Sequence, residues 1–121
     1  MNVSKYFLHL LIPAFMLSCV KKSEDELMSD FRYCKEDSVS FSQNVLPILQ
    51  KDCGSCHNAN VHSGDVVLET HTQVSALINM GLILGNIKHE SGFLAMPRNA
   101  NKLNPCKIST IEKWVAEGMQ N

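Results

Sequence analysis

Apolar residues recur at helical intervals in three stretches of the chain, and the first stretch follows residue 40. Its members are Phe41, Val45, Ile48 and Leu49. Because these positions fall on one face of an α-helix, they predict a helix that runs to about Lys51. Ser42 and Asn44 are the candidate N-cap residues. Pro47 is tolerated in a first turn but not deep in a helix, which favours a late start.

The second stretch follows Thr70, which is a candidate N-cap residue. Its apolar stripe consists of Val74, Leu77 and Ile78. Gly81 is expected to stop this helix, because glycine is common just past a helix end. Residues 82–88 are largely apolar and predict another short turn of helix.

The last helix carries the clearest start and stop signals. Asn104 is a candidate cap, Pro105 occupies the favoured first position, and Gly118 is a C-terminal stop. The apolar stripe between them consists of Ile108, Ile111 and Val115. Trp114 lies alongside this stripe, and we interpret it as core packing.

Polar and glycine-containing segments separate the predicted helices. Residues 58–65 predict a loop, and residues 91–103 predict an irregular loop rather than a helix. The short apolar run at residues 66–68 is interpreted as extended chain, not as a strand of a sheet. With helices as the only regular elements expected, the fold class is all-α, in one small domain.

The first 33 residues differ from the rest of the chain. Lys5 precedes the apolar run of residues 6–17, which is too short to span a membrane and suits the h-region of an export signal. Residues 16–19 read Met-Leu-Ser-Cys, which resembles a bacterial lipobox and implies a lipid on Cys19. Residues 1–18 are therefore expected to be a signal peptide of the lipoprotein type, followed by a flexible tether over residues 19–33. The alternative is an ordinary soluble export signal.

This leader predicts a location on the periplasmic side of a bacterial membrane, lipid-anchored, or else free in the periplasm. The full chain has a formal charge of −1. It contains no run of basic residues of the kind that binds nucleic acid or an anionic membrane surface. The expected contacts are therefore with the membrane through an N-terminal lipid and with other proteins, not with nucleic acid.

Candidate chemistry is concentrated in residues 53–57, which read Cys-Gly-Ser-Cys-His. This C-x-x-C-H spacing indicates covalent attachment of a c-type haem. On a helical turn, residues three and four apart share a face, so Cys53, Cys56 and His57 would point the same way. The two thiols could then bond to the two vinyl groups on one porphyrin edge, with the His57 imidazole as an iron ligand. The two residues between the cysteines are small, which lets the backbone lie close to that edge.

Three other uses of these cysteines are open. Cys34 and Cys106 could complete a tetrahedral zinc site with the C-x-x-C pair. The pair alone could be a thioredoxin-like redox centre, although such a pair starts a helix after a strand, whereas here a helix is predicted before Cys53. The pair could also form a plain structural disulfide.

Met96 is the candidate for a second iron ligand. It lies in the predicted loop of residues 91–103 and precedes Pro97, whose ring restricts its own φ and the backbone of the preceding residue. A methionine is usually core filler. One that is held in a loop, after C-x-x-C-H and before a final helix, can present its thioether to iron.

Residues 34–121 as a whole resemble a small bacterial cytochrome c of the single-haem, class I type, in its exported or lipid-anchored form. The resemblance rests on Val-x-Pro-Ile-Leu before the C-x-x-C-H motif, a middle helix, the Met96 loop and the final helix. It implies an all-helical fold in which the N- and C-terminal helices cross around a haem c. It further implies attachment through Cys53 and Cys56 and axial ligation by His57 and Met96.

The function implied by this resemblance is one-electron transfer with redox proteins of the cell envelope, without enzymatic activity. In one alternative, another histidine replaces Met96 as the sixth ligand. The candidates are His62, His71 and His89. Of these, His89 is the best placed, although it could instead serve the haem propionates. Further alternatives are a peroxidase or gas sensor with an open iron site, and a zinc-stabilised binding module.

The chain contains five cysteines, an odd number that lipidation would explain. If Cys19 carries lipid and the C-x-x-C pair carries haem, Cys34 and Cys106 remain, and exported proteins can keep disulfides. We predict that these two are bridged, which would stabilise the fold by about 4 kcal/mol through loop closure. The alternative is two unpaired buried cysteines. Thiol titration of protein from an oxidising compartment checks the bridge, and free thiols at both positions would exclude it.

Overall fold

The computed structural model describes residues 36–121. The predicted signal peptide of residues 1–18, the lipidation site Cys19, the tether of residues 19–33 and Cys34 lie outside the described residues. Within residues 36–121, no helix has the length and apolar character needed to cross a membrane.

All regular secondary structure within the described residues is helical, which confirms the all-α expectation. A π-helical turn, Phe41–Val45, leads into α1, Leu46–Asp52. Three further helices follow: α2, α3 and α4 span His71–Asn79, Leu82–Lys88 and Pro105–Ala116. A short 3-10 turn, Ser63–Asp65, lies in the loop between α1 and α2.

The first helical segment begins earlier than predicted, and its N-cap residue is Ser40 rather than Ser42 or Asn44. The Ser40 hydroxyl accepts the backbone N–H of Gln43 at 3.3 Å. Asn44 contributes differently, because its Oδ1 accepts the backbone N–H of Ser40 at 2.9 Å. The cap is therefore a reciprocal pair of bonds that satisfies two N–H groups at the start of the segment.

The π-helical turn allows the segment to begin early although it contains Pro47. This proline lies in the first turn of α1, as predicted. Proline has no N–H to donate to the preceding turn. Just before it, the N–H of Leu46 bonds to the carbonyl of Phe41, five residues back, which is the wider spacing of a π turn. The four residues of the predicted apolar face are all buried, so the register predicted for this helix is confirmed.

Both ends of α2 agree with the prediction. Thr70 and Gln73 form a capping box in which each side chain accepts the backbone N–H of the other residue, at 3.3 and 3.0 Å. The helix ends before Gly81, whose φ of 73° lies in the left-handed region that glycine tolerates. The next helix, α3, is longer than the short turn expected, and it turns Ile83 and Ile87 into the core.

The last helix, α4, also starts and stops where the sequence predicts. Asn104 caps it by accepting a backbone N–H of the first turn at 2.8 Å. Gly118 follows the helix with a φ of 86°. Trp114 is fully buried, as expected for core packing, and its indole N–H donates to the carbonyl of Gln120 at 2.6 Å.

Two contacts join the first helical segment to α4, and they pair opposite ends of the two elements. Phe41, at the start of the segment, donates its backbone N–H to the carbonyl of Gln120, just beyond α4, at 2.8 Å. At the other end, Asp52 forms an ion pair with Lys107 in the first turn of α4 at 3.0 Å. The core around this contact is filled by apolar side chains from every helix and from the connecting segments.

The buried face of α4 can be tested at Ile111, which is completely buried. Ile111→Ala should lower the free energy of unfolding by about 2–5 kcal/mol, because it removes buried carbon atoms and leaves a cavity. Ser109→Ala, on the exposed side of the same helix, is the matched control and should change that free energy by less than about 0.5 kcal/mol. Urea denaturation measures both. Equal effects would mean that α4 presents another face to the core.

Candidate cofactor site

The C-x-x-C-H sequence folds into a helical turn at the end of α1. The N–H of Cys53 bonds to the carbonyl of Leu49 at 2.9 Å. The N–H groups of Cys56 and His57 then both bond to the carbonyl of Cys53, at 3.1 and 3.0 Å. These bonds bring residues three and four apart to one side of the turn, which is the local geometry that the sequence predicts.

Gly54 is required by the close approach of this turn to α1. A Cβ at this position would lie 2.5 Å from the carbonyl oxygen of Gln50. The sequence favours a small residue here for access to a porphyrin edge, but α1 alone already requires glycine. Asn58 fixes the chain that leaves the turn, since its Nδ2 donates to the Gly54 carbonyl at 2.6 Å and its Oδ1 accepts two backbone N–H groups.

A cavity of about 530 Å³ opens beside the turn. Its walls bring together the four residues that the sequence predicts to hold a haem. These are Cys53, Cys56, His57 and Met96. Met96 comes from the loop between α3 and α4, so the cavity is formed by two segments that are distant in sequence.

A second cavity of about 230 Å³ adjoins the first and has more apolar walls. The two cavities share His57, Ser63, Gly64, Leu94 and Met96. Apolar side chains of the extended run, α2 and α3 complete the second cavity; they include Val66, Leu68, Leu77, Ile83 and Ile87. Cavities of this size, apolar with a few polar groups, are typical of sites for organic cofactors.

Met96 is held at the cavity wall through its own backbone. Its N–H donates to the carbonyl of Asn86, near the end of α3, at 3.0 Å. Its carbonyl oxygen lies 3.1 Å from Nε2 of His89. The peptide bond between Met96 and Pro97 is cis. The surrounding residues 91–103 form an irregular loop, as the sequence predicts.

His57 lies at the wall of both cavities. Its Nδ1 is buried and has no hydrogen-bond partner among the described residues. The backbone of His57 is fixed on both sides, because its N–H bonds to Cys53 and its carbonyl accepts the N–H of Leu68 at 3.0 Å. An imidazole that is held at a cavity wall in this way can serve as a ligand of a metal ion.

The three histidines considered as alternative ligands line neither cavity. His71 donates from Nε2 to the carbonyl of Met119 at 2.7 Å, and its ring packs edge-on against two aromatic side chains of the core. His89 is bonded to the carbonyl of Met96. His62 is exposed at the start of the 3-10 turn. Of the histidines that the structure describes, His57 is thus the one at the cavity.

The surroundings of Cys53 disfavour its thiolate form. Burial, reinforced by the nearby Asp52 and Cys56, raises the pKa of this thiol to about 11, and Lys107 opposes the shift. Redox cysteines of the thioredoxin type have a lowered pKa, so the direction of this shift argues against that alternative. Both thiols of the C-x-x-C pair are free, so the pair does not form a disulfide in this structure.

The zinc alternative finds no support among residues 36–121. Cys106 is disulfide-bonded, and a disulfide sulfur is not the thiolate that a zinc site needs. Within the described residues, no three His, Cys, Asp or Glu side chains come together as a metal-binding group. Because the C-x-x-C thiols are free, the partner of Cys106 lies outside these residues, and its pairing with Cys34 stays a prediction.

Several residues of the site were not predicted from the sequence. Leu94 and Arg98 line the first cavity, and Leu82 and Asn86 line the second. Their nearness to Met96 in sequence was the available signal for Leu94 and Arg98. Lys107 is buried beside Cys53, and nothing in the hydrophobic pattern of α4 indicates that a lysine turns inward there.

No family model, curated protein or solved structure matches this chain. The chemistry of the cavity and its two converging segments is therefore the basis for assigning a function.

A substitution at Gly54 tests whether the C-x-x-C-H turn lies as close to α1 as the structure shows. Gly54→Ala should lower the free energy of unfolding by about 1–3 kcal/mol, because the new methyl group would force the turn away from α1. Ser55→Ala, at the next and exposed position, should change it by less than about 0.5 kcal/mol. Denaturant titration measures both variants. A Gly54→Ala variant as stable as the parent protein would contradict the close contact with Gln50.

Proposed function

We propose that this protein is a one-electron carrier with a covalently bound haem c, whose iron has His57 and Met96 as axial ligands. The observation that carries the proposal is the cavity that Cys53, Cys56 and His57 share with Met96. The turn and the methionine loop are far apart in sequence. Their meeting at one cavity is stronger support for a haem site than either motif alone.

The residues around the cavity suit a porphyrin in chemistry as well as in position. Both thiols are free to form thioethers, and His57 lines the same cavity. The thioether of Met96 is a neutral, soft ligand of the kind that haem iron accepts. Leu94 lines both cavities and is 59% exposed. Covering such apolar surface with an apolar ring would be favourable.

In this proposal, the protein anchors the porphyrin through Cys53 and Cys56 and supplies both axial ligands. The haem contributes the one-electron chemistry of its iron, and a methionine ligand favours the ferrous state and so raises the reduction potential. The apolar walls would limit the access of water to a ring bound there. Backbone hydrogen bonds hold both His57 and Met96 in place, so the same two ligands can serve both oxidation states.

The finer fold and the location belong to the same proposal. The antiparallel contact between the first helical segment and α4 is consistent with a cytochrome c-like fold, in which the N- and C-terminal helices cross. Export directed by residues 1–18 and a lipid on Cys19 would hold the carrier on the periplasmic side of a membrane. There it would exchange electrons with redox proteins of the envelope.

Absorption spectra of protein from a host with export and haem-attachment machinery test this proposal. Haem should remain on the denatured chain, because thioether bonds survive unfolding. The native ferric protein should show the weak far-red band of sulfur-ligated iron. Met96→Ala should abolish this band and leave the haem attached.

Met80→Ala is the matched control for Met96→Ala. Met80 is 68% exposed and lines neither cavity, so its removal should leave the far-red band unchanged. Attached haem without the band in the parent protein would favour a second histidine ligand or an open iron site, and fast peroxide turnover would favour the latter. Protein without haem would overturn the proposal.

A further inference from the structure

We propose that His89 is a positioning residue that holds Met96 where it can act as an iron ligand, an inference that rests on the function proposed above. Nε2 of His89 lies 3.1 Å from the carbonyl oxygen of Met96. A carbonyl oxygen only accepts hydrogen bonds, so Nε2 carries a proton and donates it. His89 therefore acts through the backbone of Met96 and not as the alternative iron ligand that the sequence allows.

The end of α3 provides the other contacts that hold the methionine loop. The carbonyl of Asn86 accepts the N–H of Met96 at 3.0 Å, so both polar groups of the Met96 backbone are bonded. Phe93 packs closely on α3 at Gly85, where an added Cβ would lie 2.5 Å from its ring. The backbone of Met96 is thus fixed from the last turn of α3 on one side and from His89 on the other.

The backbone at His89 has a conformation that is uncommon for residues other than glycine. Its φ is 54°, in the left-handed region, where most side chains are disfavoured relative to glycine. The chain has Gly81 and Gly118 in this region just after α2 and α4. His89 therefore ends α3 in this conformation, and its side chain bonds to the carbonyl of Met96.

Loss of this bond would leave the carbonyl of Met96 without its side-chain donor. The loop would then move away from the cavity more often, although the bond to Asn86 would remain. In haem-loaded protein, a competing ligand could enter only when the thioether of Met96 leaves the iron. The rate at which added imidazole replaces Met96 therefore reports how firmly His89 holds the loop.

The experiment compares the parent protein with His89→Gly and His89→Gln, all loaded with haem. His89→Gly removes the donor but suits the left-handed backbone, so the melting temperature should not fall. Imidazole should displace Met96 about three- to tenfold faster, as expected for the loss of one hydrogen bond, and loss of the far-red band measures this rate. Hydrogen exchange of the Met96 amide should rise by a similar factor. His89→Gln keeps a side-chain donor and should restore much of the slow displacement.

His62→Gly is the matched control. His62 also has a positive φ, of 31°, but its side chain is exposed, whereas that of His89 bonds to the carbonyl of Met96. Its replacement should leave imidazole displacement and Met96 amide exchange unchanged.

Three results distinguish the failure of this inference from the failure of the proposed function. Equal displacement rates and equal Met96 amide exchange in the parent protein and His89→Gly would overturn the positioning role while haem ligation stands. A lowered melting temperature with unchanged displacement would also overturn it, because His89 would then serve the fold alone. A parent protein without haem or without the methionine band would overturn the proposed function, and the role of His89 with it.

Discussion

The contact between the first helical segment and α4 is the constraint on which the site depends. The carbonyl of Gln120 accepts both the indole N–H of Trp114 and the backbone N–H of Phe41, which ties the start of the segment to the end of α4. The ion pair between Asp52 and Lys107 ties the other ends together. Because the first helical segment is held at both ends, the C-x-x-C-H turn that follows Asp52 leaves α1 at a fixed place and in a fixed direction.

The two halves of the site, the C-x-x-C-H turn and Met96, are held in place by different contacts. The turn is local, since the carbonyl of Cys53 accepts the N–H groups of Cys56 and His57 within one turn of chain. The position of Met96 is not local, because its loop has no helix of its own and takes its hydrogen bonds from Asn86 and His89. The packing of α3 against the rest of the core therefore decides whether the methionine faces the turn.

This difference explains how much could be predicted from the sequence. Helix faces and ends could be predicted because they depend on short-range patterns, such as the capping box at Thr70 and the glycine after α2. The start of the first helix was wrong because a π turn ahead of Pro47 has no hydrophobic signature. The bonds from Asn86 and His89 to Met96 could not be predicted for another reason. These bonds form because the loop of residues 91–103 folds back onto the end of α3. The path of such a loop has no periodic pattern in the sequence, so the bonds could not be predicted.

Two charged side chains, Lys107 and Asp52, lie beside the C-x-x-C-H turn. An inward-facing lysine next to a cysteine would usually favour the thiolate, yet burial and the carboxylate of Asp52 outweigh Lys107, and the pKa of Cys53 is raised to about 11. The lysine forms an ion pair with Asp52, and its charge does not lower the pKa of the Cys53 thiol below the usual value. A partly buried pair of this kind is weak evidence for stability by itself, because both charges lose hydration. Its position supports another role: it aligns the end of α1 with the start of α4 and keeps the lysine's charge compensated beside a cysteine that remains a neutral thiol.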